Sequence, residues 1–191
     1  MIAGGEKFIG ATLCRRSLSV LDAGAGTGAF ALALLGWLAR VSPRTDVDID
    51  LFDSSQAMLG EAIRNLARDG YRARGLCQFI QLLSAPIPTY DIVVCGHVIE
   101  HSKTPARDLS VLKSLLKPSG ILFLVVSKPS WLTVLLQLRW QHGAFSEPAA
   151  KMLLRDAGFR CAGSFSFPKG PPSITSLGLM AVAPGDARGS G

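Results

Sequence analysis

The sequence lacks closely spaced cysteines. Its four cysteines, Cys14, Cys77, Cys95 and Cys161, lie far apart and form no CxxC pair. This spacing excludes the common zinc-binding frameworks and the disulfide scaffold of a small secreted domain. We therefore expect a reducing compartment, with Cys95 acting as a small buried hydrophobe inside an apolar run.

The sequence also lacks an apolar run of the roughly 20 residues that a membrane-spanning helix needs. Its most apolar stretches, residues 29–39 and 131–138, are shorter than that. Residues 1–18 lack the charged start and long apolar segment of a secretory signal. We therefore expect a cytoplasmic protein with no membrane insertion.

There is no block of like charges either. Lys and Arg together number 20 against 14 for Asp and Glu, which gives a formal net charge of +6, but the basic residues are scattered. A nucleic-acid-binding tail would need a contiguous run, so the pattern disfavours a nucleic-acid partner. With 48% hydrophobic and 18% charged residues over 191 positions, the composition is that of one globular domain.

Apolar runs of strand type alternate with segments of helical periodicity along most of the chain. Such alternation predicts a three-layer α/β/α doubly wound (Rossmann-like) fold, whose seven-stranded, mostly parallel sheet has an antiparallel last strand. The predicted strands are 19–22, 47–52, 77–83, 91–95, 121–126, 159–167 and 176–182, and the predicted helices include 29–40, 57–66 and 147–156.

We predict one domain over residues 19–184, preceded by a short N-terminal segment, 1–18, and followed by a disordered tail, 185–191. The tail is polar and glycine-rich, a composition typical of frayed chain ends. Parallel strands place a ligand site at their carboxyl ends, where the strand order reverses.

A glycine-rich turn follows the first predicted strand. Asp22 precedes Gly24, Gly26 and Gly28, which are spaced as GxGxG. Glycines let the backbone bend tightly and let a ligand approach without a Cβ in the way. Dinucleotide-binding folds use similar turns, usually spaced GxGxxG, so an NAD-dependent oxidoreductase is an alternative.

The turn resembles the first motif of class I S-adenosylmethionine-dependent methyltransferases, (D/E)xGxGxG, and the stretch from Asp53 to Leu59 is similar to the family's "D-L-S-x-x-M-L". In that family the first acid organises the methionine end of the cofactor, and the acid after strand two binds the ribose hydroxyls. An alternative role for Asp53 is to cap the helix beginning near Gln56. The resemblance implies S-adenosylmethionine-binding roles for Asp22, Ala23, Gly24, Ala25, Gly26, Gly28, Asp53, Ser54, Met58, Ser84, Gly96 and His97.

The resemblance continues to Phe159. Residues 90–101, 115–122, 142–146 and 153–159 are similar, in family order, to segments of small-molecule methyltransferases, including ubiquinone-type O-methyltransferases. Two features depart from the pattern. The family often has an Asp after strand three that contacts the adenine amine, and here Ser84 or nearby backbone would have to serve. Because the N-terminal segment is short, we expect the lid to come from residues 131–140, from a protein partner or from a homodimer, or the chain to be a degenerate or truncated relative.

His97 and His101 are the candidate catalytic residues. A histidine near the methyl-transfer site could accept a proton from a hydroxyl, although a loop or cofactor contact is the alternative role. The run from His97 to His101 also matches the zinc-protease pattern HxxEH and is similar to the ExxEH run of ubiquinone-type enzymes, but no third ligand is apparent and we predict no metal.

Aromatic residues between the fifth strand and the last helix could form a substrate wall or pack in the core. These residues are Trp131, Trp140 and Phe145, and His142 accompanies them in the same segment. We expect an enzyme that transfers a methyl group to an oxygen or nitrogen of a small-molecule acceptor. The rivals are a non-catalytic methyltransferase-like subunit, an RNA methyltransferase and the oxidoreductase.

Overall fold

The structure is a computed structural model, which describes residues 10, 12, 14–83, 88–129, 144–165 and 174–185. Its strands are β1 (Ser17–Ala23), β2 (Asp46–Asp53), β3 (Ala73–Cys77), β4 (Tyr90–Gly96), β5 (Leu116–Ser127), β6 (Arg160–Phe165) and β7 (Ser176–Val182). Its α-helices are α1 (Ala29–Val41), α2 (Gln56–Arg68), α3 (Pro105–Leu115) and α4 (Glu147–Asp156). None of the helices in these ranges is long and apolar enough to cross a membrane.

The strands form one seven-stranded sheet in the order β3-β2-β1-β4-β5-β7-β6. The pairs from β3 to β5 are parallel, whereas β7 runs antiparallel to both of its neighbours. The predicted mostly parallel sheet with an antiparallel last strand is therefore confirmed. The chain passes from β1 outward to β2 and β3 and then crosses back to β4, so the strand order reverses between β1 and β4.

Helices cover both faces of the sheet. On β4, Ile92 and Val94 pack in a core with α1 and α2, whereas Val93 and Cys95 pack in a second core with α3 and α4. Alternate residues of a strand point to opposite faces, so an uninterrupted apolar run is what a strand between two helical layers requires. The three-layer prediction is confirmed.

The predicted third strand, Cys77–Leu83, is wrong. The strand is Ala73–Cys77, and Ile80–Leu82 form a 3-10 turn whose Ile80 side chain is buried in the core. An edge strand pairs on one side only, and most of β3 is exposed, so it carries no apolar run that marks it. The apolar run just after it belongs to the turn.

Some predictions fall on residues outside the described ranges. They concern Ser84, Trp131, Trp140, His142 and the end of the predicted strand 159–167. Phe145 is described: it is half-buried and packs against the core shared with α3 and α4, and its amide N–H donates to the Ser127 carbonyl at 2.9 Å.

A buried carboxylate ties together the end of the sheet opposite the carboxyl ends of the parallel strands. Asp91, at 2% exposure, accepts hydrogen bonds from the Arg15 guanidinium, from Lys117 Nζ at 2.8 Å and from the Ser19 backbone N–H at 3.0 Å. These contacts join the segment before β1 to β4 and β5.

Replacing Asp91 with Ala removes all three contacts. Because Arg15 and Lys117 are partly exposed, water can solvate them after the change, and we expect the free energy of unfolding to fall by about 1–3 kcal/mol. Urea unfolding measures this, with Asp48→Ala, an exposed aspartate of β2, as the control. Equal stability of the two variants would contradict a structural role for Asp91.

Candidate functional site

A cavity of about 530 Å³ opens where the strand order reverses. Its walls come from the loops that follow β1, β2, β3 and β4, together with the first turn of α3. The lining residues are Gly24, Gly26, Phe52, Asp53, Ser54, Gln78, Phe79, Ile80, Gln81, Gly96, His97, Val98, His101, Ser102 and Asp108. Both the position and the size are those of a small-molecule site in an open α/β fold.

The glycine turn lies at one wall of this cavity. Gly24 and Gly26 have φ angles of +85° and +52°, in the left-handed region that side chains disfavour. A Cβ added to Gly26 would meet nothing closer than Met58 Cε at 3.9 Å, so the space beside Gly26 is open. A Cβ on Gly24 would instead overlap the Val98 side chain from the loop after β4. Gly26 is thus the position where backbone faces open cavity.

Gly28 serves helix packing. It is the N-cap residue of α1, with φ at +84°, and a Cβ there would lie 2.8 Å from Leu66 Cδ1 and 3.3 Å from Ala62 Cα. These close approaches show that the contact between α1 and α2 leaves no room for a side chain at the third glycine of the motif, which does not line the cavity.

Asp53, the last residue of β2, is bonded to the glycine turn. Its Oδ2 accepts from the Gly26 N–H at 2.8 Å and its Oδ1 from the Ser55 N–H at 2.8 Å. The alternative role of Asp53 as cap of the next helix is wrong: Ser55 is the N-cap residue of α2, and its hydroxyl accepts from the Met58 N–H. Each carboxylate oxygen retains capacity for a further hydrogen bond at the cavity wall.

Asp22 lies beneath the turn and is 1% exposed. Its Oδ2 accepts from the Ala31 N–H in the first turn of α1, whereas its Oδ1 is buried with no hydrogen-bond partner in the described part of the chain. Burial raises the pKa of Asp22 to about 7, against a lowering effect of the Ala31 hydrogen bond and with a further rise from the charge of Asp53. A buried carboxylate with one unsatisfied oxygen is suited to a cationic group placed nearby.

The structure brings the other described candidates to the same end of the sheet. Ala23 and Ala25 are buried on either side of Gly24, Ser54 and Met58 are exposed beside Asp53, and Gly96 is buried at the end of β4. Among these, Ser54 and Gly96 join the cavity wall.

A polar network surrounds His97 where the chain leaves β4. His97 Nδ1 lies 2.8 Å from Glu100 Oε1, and Nε2 lies 3.2 Å from the Ser176 hydroxyl at the start of β7. Glu100 Oε1 also accepts from the Ser127 N–H at 3.2 Å and from the Ser127 hydroxyl at 2.9 Å. Burial alone would raise the pKa of Glu100, but the hydrogen bonds from His97 and Ser127 outweigh it and lower the pKa below its ordinary value.

The HxxEH run is not an α-helix. Ile99–His101 form a 3-10 turn, and His97 lies before it with φ at +56°, so the two histidines do not take the one-turn helical spacing of a zinc protease. His101 is exposed and lines the cavity. Within the described ranges, no group of three or more His, Cys, Asp or Glu side chains is arranged to hold a metal ion.

Sequence reasoning missed the pair of Gln81 and Asp108. Asp108, in the first turn of α3, lines the cavity although it is buried, and both of its oxygens accept from Gln81 Nε2 at 3.0 Å. An acidic residue in the first turn of a helix is common, since it interacts favourably with the helix dipole. Nothing in the sequence therefore indicated that this one reaches a loop 27 residues away.

A family profile described as "Methyltransferase domain" matches residues 5–162. The chain belongs to this family. Its members of class I use S-adenosylmethionine, so the resemblance drawn from the glycine turn and from Asp53 is confirmed at the level of family and cofactor. The oxidoreductase alternative is thereby set aside.

Similar proteins include methyltransferases of different specificity. A ubiquinone biosynthesis O-methyltransferase from Coxiella burnetii (strain Dugway 5J108-111) is 29% identical over 117 residues, which are 61% of this chain and 47% of that protein. The chain thus spans about half the length of this curated relative. Two crystal structures with bound S-adenosylhomocysteine each have a TM-score of 0.68.

The first of these structures is 1,6-didemethyltoxoflavin-N1-methyltransferase from Burkholderia thailandensis, at 20% identity, with 94% of this chain and 74% of that chain covered. The second is magnesium protoporphyrin IX methyltransferase from Synechocystis PCC 6803, at 24% identity, with 92% and 78% covered. At these identities the two structures support the fold.

Replacing Asp22 with Asn tests its buried charge. An acid whose pKa is raised by folding binds its proton more tightly in the native state, so its contribution to stability falls as pH rises from 3.8 towards 7. We expect the stability advantage of Asp22→Asn over the wild type to grow by about 2–3 kcal/mol between pH 5 and pH 8, measured by urea unfolding at both pH values. If the difference in stability between the two proteins is the same at pH 5 and pH 8, Asp22 has the same pKa in the folded and the unfolded state.

Replacing Gly26 with Ala separates backbone strain from ligand exclusion. The positive φ angle costs about 1–2 kcal/mol of stability, and the new methyl group enters the cavity, so we expect loss of S-adenosylhomocysteine binding in a protein that still folds. Gly70→Ala is the matched control, because Gly70 has φ at +85° and open surroundings away from the cavity wall. Undiminished binding by Gly26→Ala in calorimetry would contradict the placement of the ligand.

Proposed function

We propose that this chain binds S-adenosylmethionine across the carboxyl ends of β1, β2 and β4 and transfers its methyl group to an oxygen or nitrogen of a small-molecule acceptor. The observation that carries the proposal is the 2.8 Å hydrogen bond from the Gly26 N–H to Asp53 Oδ2. This bond joins the glycine turn after β1 to Asp53 at the end of β2, so the two form one wall of the same cavity.

The residues fit the cofactor at three points. Backbone at Gly24 and Gly26 leaves room for the amino-acid end, and Asp22 places negative charge beneath that end once it ionises. Asp53 accepts from the two ribose hydroxyls with the lone pairs that its backbone contacts leave over. Beyond Asp53, the Phe79 side chain, 63% exposed at the cavity wall, gives apolar surface against which a flat base can stack.

The chemistry requires little of the protein beyond alignment. When bound, S-adenosylmethionine supplies a methyl group already activated as a sulfonium, so correct placement of the acceptor provides much of the rate. His97 lies at the cavity wall beside Gly96 and serves as the proton acceptor for an acceptor group that must lose one. His101 lines the same wall and contacts the acceptor.

Calorimetry with S-adenosylhomocysteine tests the function through Asp53. Replacement by Asn keeps the shape of the side chain but removes its charge and one of its acceptor oxygens, so we expect the dissociation constant to rise about tenfold or more. The matched control is Asp48→Asn on the exposed part of the same strand, which should bind like the wild type.

Three outcomes are informative. Binding that Asp53→Asn leaves unchanged would remove the ribose contact from the account. Tighter binding of NAD than of S-adenosylhomocysteine would contradict the proposed function. A folded wild-type protein that binds neither ligand would instead be a non-catalytic methyltransferase-like subunit.

A further inference from the structure

The network around His97 joins its imidazole ring to the Glu100 carboxylate and to two serine hydroxyls. Ser127 ends β5 and Ser176 begins β7, and the two are register partners in the antiparallel pair, so their side chains project from the same face of the sheet. The imidazole lies between them, with the Ser127 hydroxyl 3.3 Å from Nδ1 and the Ser176 hydroxyl 3.2 Å from Nε2. Together with Glu100 in the 3-10 turn, β5 and β7 thus fix the orientation of the His97 imidazole ring.

The backbone at His97 is itself held in an uncommon conformation. Its φ angle of +56° falls in the left-handed region, which costs a non-glycine residue energy and persists only where the surroundings impose it. The His97 N–H donates to the Val125 carbonyl at 2.8 Å, which anchors the residue against β5. Such strain at the wall of a cavity is typical of a side chain held for function.

The identity of the neighbours determines which ring nitrogen carries the proton. Glu100 has a side chain 2% exposed, and in its ionised form it can only accept hydrogen bonds, so Nδ1 has to donate to Oε1. In the neutral ring Nε2 then has no proton and accepts from the Ser176 hydroxyl. Glu100 Oε1 accepts from three donors, which are His97 Nδ1–H, the Ser127 N–H and the Ser127 hydroxyl. Glu100 is therefore the residue that holds the network together.

We propose that Glu100 is a positioning residue that holds His97 in the Nδ1–H tautomer, so that Nε2 is the nitrogen that takes up the proton released by the methyl acceptor. This inference rests on the proposed function. As the acceptor atom gains its bond to the methyl carbon, the bond from that carbon to sulfur breaks and leaves a neutral thioether. The acceptor's proton passes to Nε2, and Glu100 stabilises the positive charge that the ring then carries.

Nitrogen NMR of the imidazole rings tests the assignment without a methyl acceptor. The ¹⁵N-labelled full chain has three histidines, and His101→Gln and His142→Gln identify their signals, which leaves those of His97. At neutral pH we expect the Nδ1–H form of His97 to exceed the Nε2–H form by about tenfold or more, as a charge-assisted hydrogen bond predicts. A wild-type ring that carries its proton on Nε2 would overturn the proposal.

Two Glu100 variants show whether this residue is the cause. Glu100→Ala removes the acceptor and should move the proton towards Nε2, whereas Glu100→Gln keeps an acceptor oxygen and should preserve the Nδ1–H form. Glu147→Ala, an exposed glutamate of α4, is the control. An unchanged tautomer in Glu100→Ala would contradict the role of Glu100. If Glu100→Ala does not fold, the wild-type spectrum decides, because a proton on Nε2 of His97 contradicts the proposal without any variant.

Reactivity shows whether Nε2 can be reached from the cavity. Diethyl pyrocarbonate acylates an imidazole nitrogen that carries no proton, and peptide mass spectrometry locates the product. We expect modification of His97 in the wild type, and at least about threefold faster modification in Ser176→Ala, where the hydroxyl no longer occupies Nε2. Modification of His101 with none at His97 would overturn the proposal.

The two proposals can fail separately. Glu100→Ala should bind S-adenosylhomocysteine within about threefold of the wild type, because Glu100 lies behind His97 and outside the cavity wall. A wild-type protein that binds no S-adenosylhomocysteine would overturn the proposed function while the tautomer of His97 is still measured. Loss of binding in Glu100→Ala alone would make Glu100 part of the cofactor site and contradict the positioning role.

Discussion

Three short hydrogen bonds join the glycine turn after β1 to the end of β2. The N–H groups of Gly24 and Ala25 donate to the Phe52 carbonyl, and that of Gly26 donates to Asp53, each at 2.8 Å. A bend made of glycines would otherwise be the most flexible part of the chain, because glycine loses more conformational freedom on folding than any other residue. Tied to β2, the bend becomes a rigid wall, and the loop after β4 packs against it through Val98.

Three carboxylates are buried near the candidate site, where folding alone would favour apolar side chains. Asp22, Glu100 and Asp108 are all buried near the thiol of Cys95, and burial together with their charges raises the pKa of that thiol. A buried carboxylate costs free energy unless it is paired. Asp108 is bonded to Gln81 through both of its oxygens, and Glu100 is bonded to His97 and Ser127 through Oε1. Asp22 Oδ1 and Glu100 Oε2 are buried with no hydrogen-bond partner in the described part of the chain. The buried Asp22 carboxylate lowers the free energy of unfolding, which supports a role for this residue in binding rather than in stability.

The sequence predicted what depends on local pattern. Continuous apolar runs identified β1, β4 and β5, and the spacing of Asp22 and the glycines identified the turn. The edge strand β3 was misplaced because exposure removes its apolar run. A cap role for Asp53 was kept as an alternative because both Asp and Ser can cap a helix, and the structure gives that role to Ser55. Contacts between distant segments, such as Gln81 with Asp108 and His97 with Ser176, carry no pattern along the chain and emerge only from the fold.

A crystal structure of the complex with S-adenosylhomocysteine would show whether one wall, built from the glycine turn and Asp53, holds the cofactor. We expect the homocysteine portion alongside Gly24 and Gly26, and both ribose hydroxyls within hydrogen-bond distance of the Asp53 carboxylate. Electron density for the ligand at another place on the sheet, or an Asp53 side chain turned away from the ribose, would contradict this expectation.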